Sequence, residues 1–207
     1  MSLRHPARSS PPMRLYGRRI VMRPLAVSDF RDWSDVRQRN ADWLNVWEPL
    51  RHANLPDPTT DRSAFVARCA QRDRDRANGT AYQFAIFVDQ HVAGEVNLNN
   101  VVRGAMQSCT IGYWIDQQHA GNGYVAEGVA TVMQFAFEQM GLHRVEICIV
   151  PRNSNSRRVV EKLGLREEGT ALRYLEINGV WEDHIRYGMT SEEWTDRRQE
   201  ITEAWLV

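Results

Sequence analysis

The sequence predicts an α+β fold built around a mixed, mostly antiparallel sheet, and three observations lead to this prediction. Three β-rich runs in the middle of the chain are separated only by short turn segments, which is typical of an antiparallel meander. A strongly periodic helix follows them. The chain then closes with two strand-like runs joined by Asn178-Gly179, a dipeptide typical of tight hairpin turns. With the remaining segments, the predicted order of elements is βααβββαβαββ.

Composition and charge restrict the function classes. The chain has 207 residues, 26 basic against 26 acidic residues and a mean hydropathy of -0.52, which fits one ordinary domain. Zero net charge argues against direct DNA binding, which needs a strongly basic surface. No run reaches the roughly 18 to 20 apolar residues of a membrane helix. The amino terminus also lacks the apolar stretch of a secretory signal, so we expect a cytoplasmic protein without membrane partners.

The amino-terminal half is predicted to be mainly helical. Residues 1–13 are rich in proline and serine and almost free of apolar side chains, which indicates a disordered leader. A short strand is predicted over 19–25. Apolar spacings of three and four then indicate a helix that begins near Ser28. A second helix is predicted over 61–77, capped by Thr60 or Asp61.

The carboxyl-terminal half carries most of the sheet. The meander comprises the runs 82–88, 91–102 and 109–115, and the periodic helix after it ends at Gly141. A strand over 143–150 leads into a short helix over 153–163, stopped by Gly164, and the hairpin closes the chain. The three cysteines, Cys69, Cys109 and Cys148, lie far apart, and no cluster of metal-ligand type occurs, so we expect free thiols and no metal.

A glycine-containing loop joins the meander to the periodic helix and indicates an anion site. Unpaired amides in the first turn of a helix attract phosphate, and glycine lets the phosphate approach the backbone. A phosphate-binding loop of the nucleotide-hydrolase type is excluded because Lys162 is the only lysine. A dinucleotide fold is disfavoured because a meander precedes the loop. The candidate loop residues are Gln118, His119, Gly121, Asn122, Gly123 and Tyr124.

Two motifs in this order resemble the GNAT N-acetyltransferases. The spacing of Gln118, Gly121 and Gly123, between a strand and an amphipathic helix, is similar to the acyl-CoA pyrophosphate loop of that family. Residues 153–165 resemble its second motif, NxxSxxVxxKLGF. The segments 43–51, 99–115 and 174–194 further resemble the RimJ-type ribosomal-protein-alanine N-acetyltransferases, so that the resemblance covers nearly the whole chain after Arg14.

The resemblance implies a fold, a donor and an acceptor. The fold is an α/β/α sandwich of the GNAT type with a splayed strand pair, which spans residues 14–195 and is followed by a carboxyl-terminal extension over 196–207. The donor is acetyl-CoA. Main-chain groups of Tyr113, Trp114 and Ile115 hold the pantetheine arm, and Asn153 binds its amides. The implied acceptor is the α-amine of the N-terminal alanine of a small-subunit ribosomal protein.

Direct acetyl transfer requires a neutral amine and protonation of the leaving thiolate. Many family members use a tyrosine as the acid, but Val160 stands at that position here, so we assign the acid to Ser156. Both Asn153 and Ser156 equally suit helix capping. Glu95 is the candidate base, and the alternative interpretation, which the sequence favours, is a solvated or salt-bridged carboxylate. Trp47, Glu48 and Tyr174 are candidate contacts for the acceptor.

Two further functions remain open from the sequence. The same chemistry on a small-molecule amine or a lysine fits the GNAT fold equally well. A CoA-binding ribosome-assembly factor with secondary catalysis is a different class. Release of CoA thiol that depends on the acceptor distinguishes the enzymes from the binding protein. The sequence does not determine the oligomeric state.

Overall fold

A computed structural model of the chain describes residues 13–52 and 54–207. It contains eight strands and six α-helices among the described residues. The strands are β1 Leu15–Tyr16, β2 Val21–Arg23, β3 Tyr82–Val88, β4 His91–Val102, β5 Ser108–Ile115, β6 Arg144–Ile149, β7 Arg166–Ile177 and β8 Val180–Thr190. The helices are α1 Phe30–Arg39, α2 Ala41–Leu44, α3 Arg62–Ala77, α4 Tyr124–Gln134, α5 Ser154–Lys162 and α6 Ser191–Trp205.

One sheet carries all eight strands, in the order β1-β2-β3-β4-β5-β6-β8-β7. Every neighbouring pair is antiparallel except β5 and β6, which are parallel. Alternation along β3 shows how both faces are covered: Phe84 and Ile86 join the core that includes residues of α4 and α6, while Ala85 and Phe87 join a second cluster with α1 and α3. The predicted mixed, mostly antiparallel sheet in an α/β/α sandwich is therefore confirmed.

The strands β5 and β6 stay paired over only three residues. Their parallel register joins Ser108 to Arg144, Cys109 to Val145 and Thr110 to Glu146. Beyond Thr110, β5 continues to Ile115 and keeps its pairing with β4 alone. The two strands diverge there, which confirms the predicted splayed pair and leaves the β6-facing edge of residues 113–115 without a strand partner.

Several predicted bounds agree closely with the structure, and three elements were missed. The meander, the helix after Asp61, the helix capped by Asn153 and the closing hairpin all occur where predicted. The sequence prediction missed β1, α2 and α6. The helix predicted to reach Gly141 is α-helical only to Gln134 and finishes in a π-helical turn over Phe135–Gln139.

The carboxyl-terminal segment packs onto the domain. The carboxyl-terminal boundary of the domain, predicted at residue 195, falls inside α6. This helix begins at a capping box formed by Thr190 and Glu193. Ile201 is buried in the main core, and Trp205 lies beside the glycine loop, where its ring would meet a side chain at Gly123. Residues 196–207 are therefore not a separate extension. The leader predicted over residues 1–13 lies, apart from Met13, outside the described residues.

The described residues contain no helix that is both long and apolar enough to cross a membrane. The thiols of Cys69 and Cys109 are buried, that of Cys148 is half-buried, and all three are free.

Candidate active site

The glycine loop has the backbone geometry that the sequence indicated. Gly121 has φ of 82° and Gly123 has φ of 83°, in the left-handed region that other L-residues rarely adopt. Gly123 directly precedes α4, so the first amides of that helix open toward the loop. A substitution at Gly123 would also place Cβ at 3.4 Å from both Arg19 and Trp205. Both glycines are therefore required by the conformation of the loop.

A buried carboxylate fixes the start of this loop. Asp116 ends β5 and accepts hydrogen bonds from the side chains of Arg39 and Asn40 and from the backbone N–H of Gln118. Burial opposes ionisation of Asp116, but these donors outweigh it and hold its pKa below the ordinary value. Because Arg39 ends α1 and Asn40 follows it directly, this network ties the loop to the opposite side of the sheet.

A second buried carboxylate fixes the end of the loop. Glu127, in the first turn of α4, accepts from the backbone N–H of Arg19 and Ile20 and from the guanidinium of Arg19. The same guanidinium donates to the backbone oxygen of Asn122 at 3.0 Å. Glu127 therefore positions the loop and the turn between β1 and β2, and its carboxylate has no capacity left for catalysis.

A cavity of about 380 Å³ lies between the loop and α5. His119, Gly121, Gly123 and Tyr124 form its loop side, while Gln118 and Asn122 do not line it. The opposite wall carries two basic residues that the sequence analysis missed, Arg158 and Lys162. Their i, i+4 spacing on a helix that follows the splayed strand was the available signal. Helix amides and two cations facing one space suit a phosphate group.

A narrower cavity of about 130 Å³ continues from the first one through the splay between β5 and β6. Its walls contain seven of the residues that the sequence selected: Trp47, Glu48, Tyr113, Trp114, Ile115, Asn153 and Ser156. It also shares Ile115 and Val159 with the loop cavity. The structure thus brings the predicted pantetheine strand and the predicted acid into one channel.

The polar side chains of this channel differ in whether their hydrogen-bonding atoms are already paired. Asn153 caps α5, because its Oδ1 accepts the backbone N–H of Ser156 at 3.1 Å. The hydroxyl of Tyr113 donates to the backbone oxygen of Ser156 at 2.9 Å. Burial raises the pKa of Tyr113, so its proton stays on the oxygen. The half-buried Ser156 lies in the first turn of α5. The neighbouring hydroxyl of Tyr113 is already hydrogen-bonded, whereas within the described part of the chain no such bond holds the side chain of Ser156.

A wide cavity of about 940 Å³ opens at the far end of the channel and shares Glu48, Tyr113 and Trp114 with it. Its rim is formed by the loop after α2, and the hairpin turn closes over it, since Asn178 donates its N–H to the backbone oxygen of Glu48 at 2.8 Å. The carboxylate of Glu48 is held by Arg37 through two hydrogen bonds of 2.7 and 2.6 Å.

Two residues predicted for the acceptor side have different surroundings. The ring of Trp47 lies at 4.6 Å from the guanidinium of Arg152 and lines the narrow channel. Tyr174 lies on β7 with its ring packed edge-on to His184, at 5.7 Å between ring centres, and lines none of the three cavities. The β7–β8 pairing is irregular between Ala171 and Leu175, the stretch of β7 that contains Tyr174.

Glu95 does not have the environment of a general base. Its carboxylate is fully buried and accepts hydrogen bonds from Trp33 at 2.8 Å, Arg72 at 2.6 Å and Arg68 at 3.4 Å. Burial alone would raise its pKa, but the charges of Arg72 and Arg68, with these hydrogen bonds, lower it to about 2. Such a carboxylate holds a proton too weakly to take one from an amine, so the prediction of Glu95 as base is replaced by a structural role.

The described residues contain no group of three or more His, Cys, Asp or Glu side chains that is arranged to hold a metal ion.

Comparisons with known proteins agree with this geometry. Residues 19–166 match the family described as "Acetyltransferase (GNAT) domain". The chain is 36% identical over 172 residues to "Probable N-acetyltransferase YjcK" of Bacillus subtilis (strain 168), covering 82% of this chain and 93% of that protein. It is 30% identical over 190 residues to the ribosomal protein uS5-alanine N-acetyltransferase of Escherichia coli (strain K12), covering 91% of this chain and 96% of that one.

The solved structure of Mycobacterium smegmatis RimJ in complex with CoA-disulfide superimposes on the chain with a TM-score of 0.83. The two sequences are 29% identical, and the superposition covers 93% of each chain.

The substitution Glu95→Gln tests the structural role of this carboxylate. Removing one charge from a buried cluster leaves Arg68 and Arg72 unpaired, so we expect a loss of about 3 to 5 kcal/mol in the free energy of unfolding at pH 7. The lowered pKa of Glu95 makes its contribution fully present above the ordinary value of 4.5 and lost as the pH falls through about 2. The stabilities of wild type and E95Q should therefore converge between pH 4.5 and 2 in denaturant titrations. A normally stable E95Q protein with abolished turnover would restore Glu95 as the base.

Proposed function

This chain belongs to the GNAT acetyltransferase family, and from that premise we propose that it acetylates the α-amine of the N-terminal alanine of a small-subunit ribosomal protein. The chain is an acetyl-CoA-dependent N-acetyltransferase of the RimJ/RimL type. The proposal concerns the acceptor, the residues that act on it and the cellular location. A ribosomal-protein acceptor implies that the reaction takes place in the cytoplasm.

One observation carries the proposal: the three cavities form a continuous path that narrows at the splay between β5 and β6. The narrow channel shares Trp43 and Val125 with the loop cavity and Glu48 and Tyr113 with the wide cavity. A donor with phosphates at one end and a thioester at the other fits the first two spaces. Its reactive carbonyl then faces a third space that is wide enough for a peptide.

The donor side follows from charges and unpaired backbone. In this proposal the pyrophosphate lies on the amides of the loop that contains Gly121 and Gly123, and Arg158 and Lys162 contact phosphate oxygens from the opposite wall. The pantetheine amides pair with the free edge of residues 113–115, as an added strand would. Asn153 lines the channel with the remaining face of its amide.

The choice of an α-amine as acceptor agrees with the lack of a strong base. The α-amine of a peptide has a pKa of roughly 7.7 to 8.0, so about a tenth of it is neutral at pH 7, whereas less than about a thousandth of a lysine is. Glu48 is bound to Arg37, and Glu95 and Glu127 are buried in ion pairs. A site in which these carboxylates are already paired suits an amine that deprotonates readily in water.

In the proposed reaction, the amine nitrogen attacks the thioester carbonyl and the carbon–sulfur bond of the intermediate breaks. The hydroxyl of Ser156 gives its proton to the leaving thiolate and recovers one from the ammonium through solvent. The position of Ser156 in the first turn of α5 supports this role, because the positive end of a helix stabilises developing negative charge. Trp47 and Glu48 contact the acceptor in this arrangement.

The acceptor is tested with two matched peptides and acetyl-CoA. One peptide has a free N-terminal alanine and no lysine, and the other has a blocked N-terminus and one internal lysine. We expect CoA thiol release with the first peptide alone, and mass spectrometry should show one acetyl group at its terminus. Release with the lysine peptide alone, or with neither peptide while CoA still binds, would contradict an N-terminal acceptor.

The phosphate contacts are tested by R158A and K162A, with R157A as the control. Arg157 is the neighbour of Arg158 on α5 and contacts the backbone oxygen of Pro151 instead of the cavity. We expect R158A and K162A each to weaken CoA binding about tenfold and to reduce its salt dependence, because each removes a charged phosphate contact. Calorimetry at two salt concentrations measures both effects. Equal affinities for R158A and R157A would remove Arg158 from the phosphate site.

The acid is tested by S156A together with Y113F. Loss of a proton donor to the leaving thiolate should lower kcat about 10²-fold or more in S156A, while the affinity for CoA stays close to that of wild type. Y113F removes only the hydrogen bond to the backbone oxygen of Ser156, and we expect a smaller decrease. The reverse order of the two effects would assign the proton to Tyr113.

A further inference from the structure

The wall of the wide cavity holds polar atoms that have no partner among the described residues. The side-chain oxygen of Asn97 is buried without a hydrogen-bond donor, and the Nε groups of Arg37 and Arg68 are buried without an acceptor. All three residues line this cavity. Buried polar atoms in folded proteins are almost always paired, and an unpaired one points to a bound molecule. The vacant hydrogen-bonding capacity therefore belongs to residues of the wall against which the acceptor is proposed to bind.

The orientation of the Asn97 amide is fixed by its neighbour. Asn97 and Glu95 are two residues apart on β4 and thus point to the same face of the sheet. The Nδ2 of Asn97 lies 3.4 Å from Oε2 of Glu95, which is ionised and therefore only accepts hydrogen bonds. The amide nitrogen must face Glu95, and the oxygen must be the free end. The buried ion cluster around Glu95 thus sets the direction of Asn97.

Asn97 also lies on the face of the sheet that borders the mouth of the narrow channel. Its neighbour on that face, Glu95, pairs with Trp114 in the β4–β5 register, and Trp114 lines both the channel and the wide cavity. Asn97 itself pairs with Gly112, which also lines the wide cavity. An acceptor whose amine lies at the channel mouth beside Trp114 therefore has its first peptide bond over the face that carries Asn97.

We propose that Oδ1 of Asn97 accepts a hydrogen bond from the N–H of the first peptide bond of the acceptor. This inference rests on the proposed function and narrows its substrate class to peptides, because simple primary amines lack that donor. The free Nε groups of Arg37 and Arg68 suit the carbonyl oxygens of the same backbone. Asn97 is then a specificity-determining residue that recognises the main chain of the acceptor, so the identity of the acceptor's second residue matters little at this contact.

The test compares two acceptors in wild type and N97L. One is a peptide that begins with alanine, and the other is its depsipeptide analogue, in which an ester oxygen replaces the first peptide N–H. For wild type we expect kcat/KM to be about tenfold or more higher for the amide than for the ester, because the ester leaves a buried acceptor unpaired. In N97L the preference should fall to that of chemical reactivity alone, since leucine removes the amide oxygen.

N99L is the matched control. Asn99 is the same residue type on the same face of β4, two positions further on, and it does not line the wide cavity. We expect N99L to keep the amide preference of wild type. CoA affinity, measured on each variant, should remain unchanged and shows that the fold of the donor side is intact.

The two proposals fail in different ways. Equal use of the amide and the ester by wild type, or the same preference in N97L as in wild type, would overturn the role of Asn97 and leave an N-terminal acceptor intact. The first of these outcomes does not depend on how well N97L folds. Absence of transfer to the amide peptide by wild type would overturn the proposed acceptor and, with it, this contact.

Discussion

The divergence of β5 from β6 is the constraint on which the rest of the molecule depends. Two parallel strands that pair over three residues and then separate leave main-chain donors and acceptors without a partner, a costly arrangement unless a ligand or water supplies one. The gap also lets α5 place its first turn across from the glycine loop. The loop cavity, the channel and the candidate acid all lie along this one opening, so a continuous sheet here would remove the candidate site.

Buried carboxylates hold the elements around the gap in place. Asp116 and Glu127 bracket the glycine loop, and Glu95 lies under the wide cavity. Each is paired with arginine and with at least one further donor. Replacing such a cluster by apolar residues often costs little stability, whereas breaking it by removing one partner costs much. These clusters restrict the geometry of the fold. A buried carboxylate that accepts hydrogen bonds from several donors allows only a few positions of the strands and helices that carry those donors.

The wide cavity differs in character from the donor side. The donor side offers backbone amides and two exposed cations to a flexible, charged molecule. The wide cavity, where the acceptor is proposed to bind, has a wall in which Arg37 and Glu48 are already paired and the Asn97 amide lies against Glu95. A fixed polar wall selects by hydrogen-bond geometry and leaves little room for selection by net charge. This difference fits an enzyme with one constant donor and an acceptor that is recognised by its chain terminus.

The sequence by itself determined the features that depend on local interactions. Strand and helix periods, the caps at Asp61 and Asn153, the Asn178-Gly179 turn and the two loop glycines act within a few residues, and the resemblance to a family added the sandwich and the splay. Partners distant in the chain were decided by the tertiary structure alone. The charge state of Glu95 depends on Trp33 and Arg72, and Arg158 faces the loop only after α5 packs. The short β1 is defined only by its pairing with β2, and the surroundings of Tyr174 depend on its packing against His184 of β8.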